Sequence, residues 1–235
     1  MLRWQGARPS FGTALAYWKI ALRTNVYIDG FNLYYGSVRK TPFKWLDISA
    51  LCTTLLPKRK INRIRYFTAH VRALQHDLQA PVRQDVYLRA LKTIPNLTIH
   101  KGHFAPRPSV FPQFPLAYRN PSKPPLVVQV LRTEEKGSDV NLATYLLVDC
   151  FDNDFDEAVV ISNDSDLAYP IEKVVSQFGK VVGVINPHPQ KGLSGKLIRV
   201  ASFHIRTINK KVLAACQFPA TLTDSRGTFT KPATW

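Results

Sequence analysis

Cysteine is scarce in this 235-residue chain: Cys52, Cys150 and Cys216 stand far apart and form no C-x-x-C pair. That argues against a disulfide framework or a thiolate zinc site and fits a reducing, cytoplasmic setting. Acidic residues are scarce too, with 16 Asp and Glu against 32 Lys and Arg, a formal net charge of +16. So much positive charge points to a polyanionic partner, a nucleic acid more often than an acidic membrane surface. No apolar run approaches the roughly 20 residues that span a bilayer, so no membrane role is expected. The opening stretch carries Arg3 and Arg8 and an apolar patch that Lys19 interrupts, with no clear small-residue cleavage site behind it. Residues 1–24 therefore look like an N-terminal extension, with room for one amphipathic helix, rather than a signal peptide.

The few carboxylates are concentrated. Eleven of the 16 lie between Glu134 and Glu172, where Lys136 is the only base. For Asp149 to Glu157 the ordinary expectation is a solvated helix face. For the rest, an acidic pocket inside a basic surface is the sharper expectation. An enzyme acting on a phosphodiester backbone needs that arrangement: carboxylates hold a cation, and Lys and Arg around them hold phosphates.

Strand and helix patterns alternate along the chain. Short β-branched runs predict strands at 25–29, 61–71, 97–104, 126–132, 158–162, 180–186 and 200–205. Helical patterns fall at 46–56, 81–94, 139–151, 166–179 and 209–218, with Pro81 suited to a first turn and Gly179 to a helix end. Residues 105–125 are dense in proline and aromatics, which excludes a helix or a central strand and predicts a surface excursion. Residues 219–235 read as a tail, and no internal repeat is present. Alternation with strands apolar throughout predicts an α/β domain over residues 25–218, a parallel sheet covered by helices on both faces.

In such sheets ligands bind beyond the carboxyl ends of the strands. "VVISNDSDLAYPI", residues 159–171, delivers Asp164 and Asp166 to such an end. Asp29 closes the first strand, followed by Gly30-Phe31-Asn32, while Glu134, Glu135, Lys136 and Asp139 precede or open another helix. Carboxylates brought together there repel one another strongly, and a divalent cation with oxygen ligands, magnesium or manganese, resolves the conflict. Each residue also has a plain structural use. Asp29 suits a turn, Asp164 and Asp139 suit helix caps, and Glu134 and Glu135 suit solvent. The histidines at 70, 100, 103 and 188 have no ligand spacing to one another.

"NVYIDGFNLYYG", "EEKGSDVNLATYLLVD", "DEAVVISNDSDLAYPIEKV" and "GKVVGVINP" together resemble the NYN domain, a PIN-like nuclease family that includes LabA-type proteins and domain DUF88. The resemblance covers roughly residues 25–218, and three acidic motifs in order make it far more specific than one short motif. It implies a three-layer, Rossmann-type sheet and metal-dependent ribonuclease activity, with the metal-site acids falling on Asp29, Asp139, Asp164 and Asp166. Asn32 matches the polar residue beside the first acid. Many relatives carry Gly-Asp-Gly-Asp where this chain has Asn163-Asp164-Ser165-Asp166; both carboxylates remain.

The expected chemistry is hydrolysis of RNA by one or two magnesium or manganese ions held by the four aspartates. Asn32, Lys136, Ser162 and Asn163 are the expected contacts to the substrate. Lys58, Arg59, Lys60, Arg63, Arg65, Arg107, Arg119 and Lys123 are candidates for the RNA surface, and Phe111, Phe114 and Tyr118 for base stacking. Two rivals belong to other classes: a catalytically silent RNA-binding adaptor on the same fold, and a receiver-like phosphorylation switch. A receiver carries its acid pair at the first strand, whereas here the pair comes late, and a receiver leaves the positive charge unexplained. Assembly into a homo-oligomer is left open.

Overall fold

The computed structural model describes residues 22–73, 75, 77–114 and 126–235. The expected amphipathic helix before residue 22 and the segment with Tyr118, Arg119 and Lys123 lie outside these residues. The elements run β1 (Arg23–Asp29), α1 (Gly30–Leu33) continued by a π-helical turn (Tyr34–Val38), α2 (Ile48–Leu55), β2 (Lys60–Ala69), α3 (Ala80–Leu91), β3 (Leu97–Pro112) and β4 (Val127–Lys136). Then follow α4 (Ser138–Phe151), β5 (Glu157–Ile161), a 3-10 turn (Ser165–Leu167), α5 (Ala168–Phe178), β6 (Val181–Ile185), α6 (Gly195–Val200), β7 (Phe203–Ile205), α7 (Lys210–Ala215), β8 (Thr221–Asp224) and β9 (Gly227–Thr230).

Seven strands form one sheet in the order β4-β3-β2-β1-β5-β6-β7, parallel except for the β3–β4 pair. Side chains alternate across it. Val26, Ile28, Ile64, Tyr66, Val159 and Ile161 pack under α2, α3 and α7, whereas Tyr27, Phe67, Ala158, Val160, Val182 and Val184 pack under α4, α5 and α6. The result is the three-layer α/β architecture expected of a PIN-like domain. β1 is central, and the chain proceeds from it first to β2 and β3 on one side, later to β5, β6 and β7 on the other. The carboxyl ends of β1 and β5 therefore flank the point where the strand order reverses, where a crevice opens.

Three parts of the chain differ from their sequence patterns. The proline-dense segment begins as strand: Ala105 to Pro112 continue β3 and pair antiparallel with β4 beyond the reach of β2. Pro106, Pro108 and Pro112 share one parity, and Gln113, of the other parity, donates its N–H to Leu126. The missing proline N–H groups thus fall on the open edge, where no ladder bond is lost. The tail holds the β8–β9 hairpin, whose Phe229 is buried against Trp45 and whose Asp224 is clamped by Arg89.

The acidic stretch Asp149 to Glu157 is largely not a solvated face. Asp154 pairs with Arg63, Asp156 with Arg23 and Glu157 with Arg59, while Asp149 accepts from Arg65 Nη2 and Nε, at 2.6 and 2.7 Å, and from the Tyr27 hydroxyl at 2.7 Å. These acids are the counterions of arginines on β1, on β2 and, for Arg59, just before β2. Arg59, Arg63 and Arg65 are consequently occupied. Lys58, Arg59, Lys60 and Arg63 also stand at the amino ends of the strands. Lys60 pairs with Arg23, six strand residues or ~20 Å from Asp29 at the carboxyl end, and Arg63 pairs with Asn25, four residues from it.

His100 belongs to the Arg65 network. Its Nε2 lies 3.1 Å from Arg65, its ring stacks on Phe67 at 5.0 Å, and burial together with the arginine charge pushes its pKa down to about 4. A histidine depressed below its unfolded value of 6.5 adds stability that is complete above that value and is lost as pH falls toward 4. Melting temperature should therefore drop between pH 6.5 and 4, and in His100→Gln the drop should be smaller. Equal slopes in wild type and variant, measured by calorimetry, would remove His100 as a source of acid sensitivity.

Candidate functional site

Asp29, Glu135, Asp139 and Asp164 line one open cleft of about 370 Å3, together with Asn32, Ser138 and His188. Asp29 is 5% exposed and doubly engaged. Its Oδ1 accepts the Asn32 N–H at 2.8 Å, capping α1, and its Oδ2 accepts the Ser162 hydroxyl at 3.0 Å. Burial raises its pKa, the two donors oppose that rise, and the charges of Asp164 and Glu135 add to it. Gly30 lets the turn close: a Cβ there would sit 2.7 Å from the Phe67 carbonyl oxygen.

Asp164 caps the 3-10 turn by accepting the Asp166 N–H at 3.0 Å through Oδ1, and its own N–H donates to Ser162 Oγ at 3.1 Å. Capping and site membership coexist because a carboxylate has two oxygens. Asp139 is no cap. Gly137, at φ 98°, holds that position, which leaves the Asp139 side chain to the cleft. Burial, then the charges of Asp29, Asp164, Glu135 and Asp166, push the Asp139 carboxyl up to about 6.

The other expected site residues divide. Asp166 adds its charge to the field at Asp139 but lines a neighbouring cavity of about 420 Å3 with Lys196 and Arg199. Lys136 is outside the cleft lining and pairs with Glu134 at 2.9 Å, and Glu134 also meets Arg107 and Arg132. Ser162 is fully buried and ties Asp29 to Asp164. Asn163 latches the loops, donating its N–H to Asn32, its amide to Gly192, and accepting from Ser194. Phe111 and Phe114 are exposed on the β3–β4 arm.

Two members have weaker sequence signals. Glu135 accepts the N–H and hydroxyl of Ser138 at 3.1 and 2.7 Å, which turns it into the cleft. His188 follows β6, so the strand-end rule that singles out the aspartates applies to it as well. Its Nε2 lies 3.0 Å from Asn32 Oδ1. That oxygen already accepts the Asn163 N–H, which fixes the amide orientation, so the imidazole must donate through Nε2. Burial and Lys191 lower the His188 pKa and keep the ring neutral. The Asn32 amide nitrogen has no hydrogen bond among the described residues and belongs to the cleft wall.

Among the described residues no three carboxylate, imidazole or thiolate groups lie close enough together to hold one ion. The donor set nonetheless fits a hard cation. It is rich in carboxylate oxygen, burial and then the neighbouring carboxylates raise the pKa values of Asp29 and Asp139, and magnesium binds through one or two carboxylates while keeping several waters. No helix among the described residues is long and apolar enough to cross a membrane.

The model of the NYN domain family matches residues 23–209. A 6-hydroxy-3-succinoylpyridine 3-monooxygenase, HspA, of Pseudomonas putida (strain DSM 28022 / S16) is 31% identical over 242 residues, spanning 91% of this chain and 75% of that protein. Among solved structures, a protein of unknown function from Vibrio parahaemolyticus RIMD 2210633 is similar in fold, with a TM-score of 0.50 at 13% identity. That likeness covers 81% of this chain and 94% of the other.

Proposed function

The chain belongs to the NYN domain family, and from that premise we propose that it is a magnesium- or manganese-dependent ribonuclease whose reaction centre is the cleft of Asp29, Asp139 and Asp164. The observation that carries this is the convergence of these carboxylates, with Glu135, at the strand-order reversal of a +16 protein. Asp29 and Asp164 would hold the cation, with Asp139 and Glu135 beside them and Asp166 contributing charge from the adjoining cavity. A divalent ion there would supply an activated water and neutralise charge developing on the phosphate. The chain's own share is positioning. The Asn32 amide, locked by Asn163 and His188, offers its N–H groups to a phosphate oxygen, and Lys196 and Arg199 offer charge to the backbone on the Asp166 side. The RNA track then runs along the carboxyl ends of the strands, not over the Lys58–Arg63 end.

The test is incubation of the purified protein with single-stranded and structured RNAs in magnesium, manganese or EDTA. Cleavage in either metal that EDTA abolishes is expected. Tight RNA binding without cleavage in any metal would assign the adaptor role instead.

A second proposal follows from the Pseudomonas relative, whose name assigns it an oxygenation of a hydroxypyridine. An identity of 31% over 91% of this chain makes oxygen consumption with 6-hydroxy-3-succinoylpyridine and a supplied reductant the direct check.

RNA affinity should fall steeply with salt, because each neutralised phosphate releases condensed counterions. With about six phosphate contacts on a single strand the slope of log K against log salt is about −4. Fluorescence anisotropy between 50 and 200 mM salt, ~0.6 log units of concentration, reads this directly. A flat profile removes nucleic acid as the partner.

A further inference from the structure

Next to the acid cleft lies a second cavity, of about 210 Å3, between the π-helical turn, β2 and α3. Phe31 and Tyr35 line both, so the two spaces share a wall. The cavity is aromatic. The Phe31 and Tyr35 rings stack at 6.3 Å with 23° between their planes, Tyr34 and Tyr66 form further walls, and Trp235 closes one side against Tyr87. Its rim is cationic: Arg72 is exposed, and Arg39 lies 5.3 Å from the centre of the Tyr35 ring.

Two hydroxyls decide what the cavity is built to hold. Tyr66 and Thr68, two residues apart on β2 and so on the same face of the sheet, are 6% and 3% exposed. Neither hydroxyl has a hydrogen-bond partner among the described residues. The only fully enclosed side-chain polar atom without a partner among those residues is Gln217 Oε1, so neither hydroxyl is fully enclosed, and both residues line this cavity. A buried hydroxyl left unpaired is costly, and an apolar ligand would leave both that way. The ligand is therefore flat, carries hydrogen-bonding atoms on its edge, and is joined to an anion that the arginines meet.

We propose that this cavity is a nucleobase subsite of the ribonuclease. It takes the base of the nucleotide next to the phosphate held at the acid cleft. The ring stacks on the Phe31–Tyr35 wall, the edge bonds to Tyr66 and Thr68, and Arg39 and Arg72 meet the backbone. The assignment rests on the ribonuclease proposal. The shared wall favours it over a free-standing small-molecule site, because one strand can occupy both spaces at once. Hydroxyls both donate and accept, so the subsite accepts several bases rather than reading one.

The test is binding of the four ribonucleoside monophosphates in EDTA, followed by protein fluorescence, with Trp235 in the cavity wall as reporter. Saturable binding is expected. Tyr35→Ala, at a position 55% exposed in the native fold, should weaken it about 5- to 150-fold, the range that stacking of a base supplies. Tyr66→Phe, which keeps the ring and removes only the hydroxyl, should weaken it several-fold. This measurement involves no cleavage, so failure of the subsite is distinguishable from failure of the nuclease assignment. Absence of binding, or equal binding by wild type and both variants at unchanged melting temperature, overturns the subsite. Tighter binding of 6-hydroxynicotinate than of any nucleotide overturns it too and gives the cavity to small aromatic acids.

Discussion

Asp164→Asn is expected to slow RNA cleavage by at least about 100-fold in saturating manganese, since loss even of a residue that merely supports a metal ligand costs 10- to 100-fold. The fold should survive. Asn caps a helical turn about as well as Asp, so the bond from the Asp166 N–H to position 164 is retained. Asp29→Asn should lose activity similarly and gain stability without metal, because burial and neighbouring carboxylates disfavour the Asp29 charge in the folded chain. Added manganese should raise the melting temperature of the wild type and not of the variants, as only an intact site binds the ion. RNA affinity should change little. Wild-type cleavage by Asp164→Asn would falsify the assignment of the reaction centre and leave Asp164 as the cap of the 3-10 turn and nothing more.

Asp149→Ala is expected to destabilise the protein by about 3–5 kcal/mol. Asp149 is 4% exposed and Arg65 8%, and the pair exchanges two hydrogen bonds with Tyr27 as a third partner. Truncating the acid leaves a guanidinium buried without its counterion and strands the tyrosine hydroxyl. At ~2–4 °C per kcal/mol for a chain of this size, the melting temperature should fall by about 6–20 °C. Replacing both partners, as Asp149→Leu with Arg65→Met, should recover much of the loss, since the uncompensated charge goes with its partner. A single variant that melts within a degree of wild type would mean that water reaches Arg65, and that the pair is no more than a surface ion pair.

Continuous apolar runs and period-3.6 patterns made the layers legible, because a strand buried on both faces must be apolar throughout and a covering helix must be amphipathic. The end of β1 at Asp29 and of β5 before Asp164 followed from the same patterns, and with them the meeting of two acidic motifs. The antiparallel β3–β4 arm was hidden by its prolines, which mark a strand as edge but do not say what it pairs with. The acidic stretch from Asp149 was hidden for a related reason: a carboxylate looks the same in sequence whether water or an arginine satisfies it.

The chain's own letters determined the class of fold, the NYN family and three acids of the cleft, Asp29, Asp139 and Asp164, because these depend on local periodicity and on residue types at fixed offsets from strand ends. Only the tertiary structure decided which charges meet. It set Asp166 and Lys136 outside the cleft, brought Glu135 and His188 into its wall, and spent Arg59, Arg63 and Arg65 on internal acids. Partners 84 to 156 residues apart, such as Arg65 with Asp149 and Asn32 with His188, are chosen by strand order and register. Electrostatic energy depends on distance in space, and no spacing along the chain encodes it.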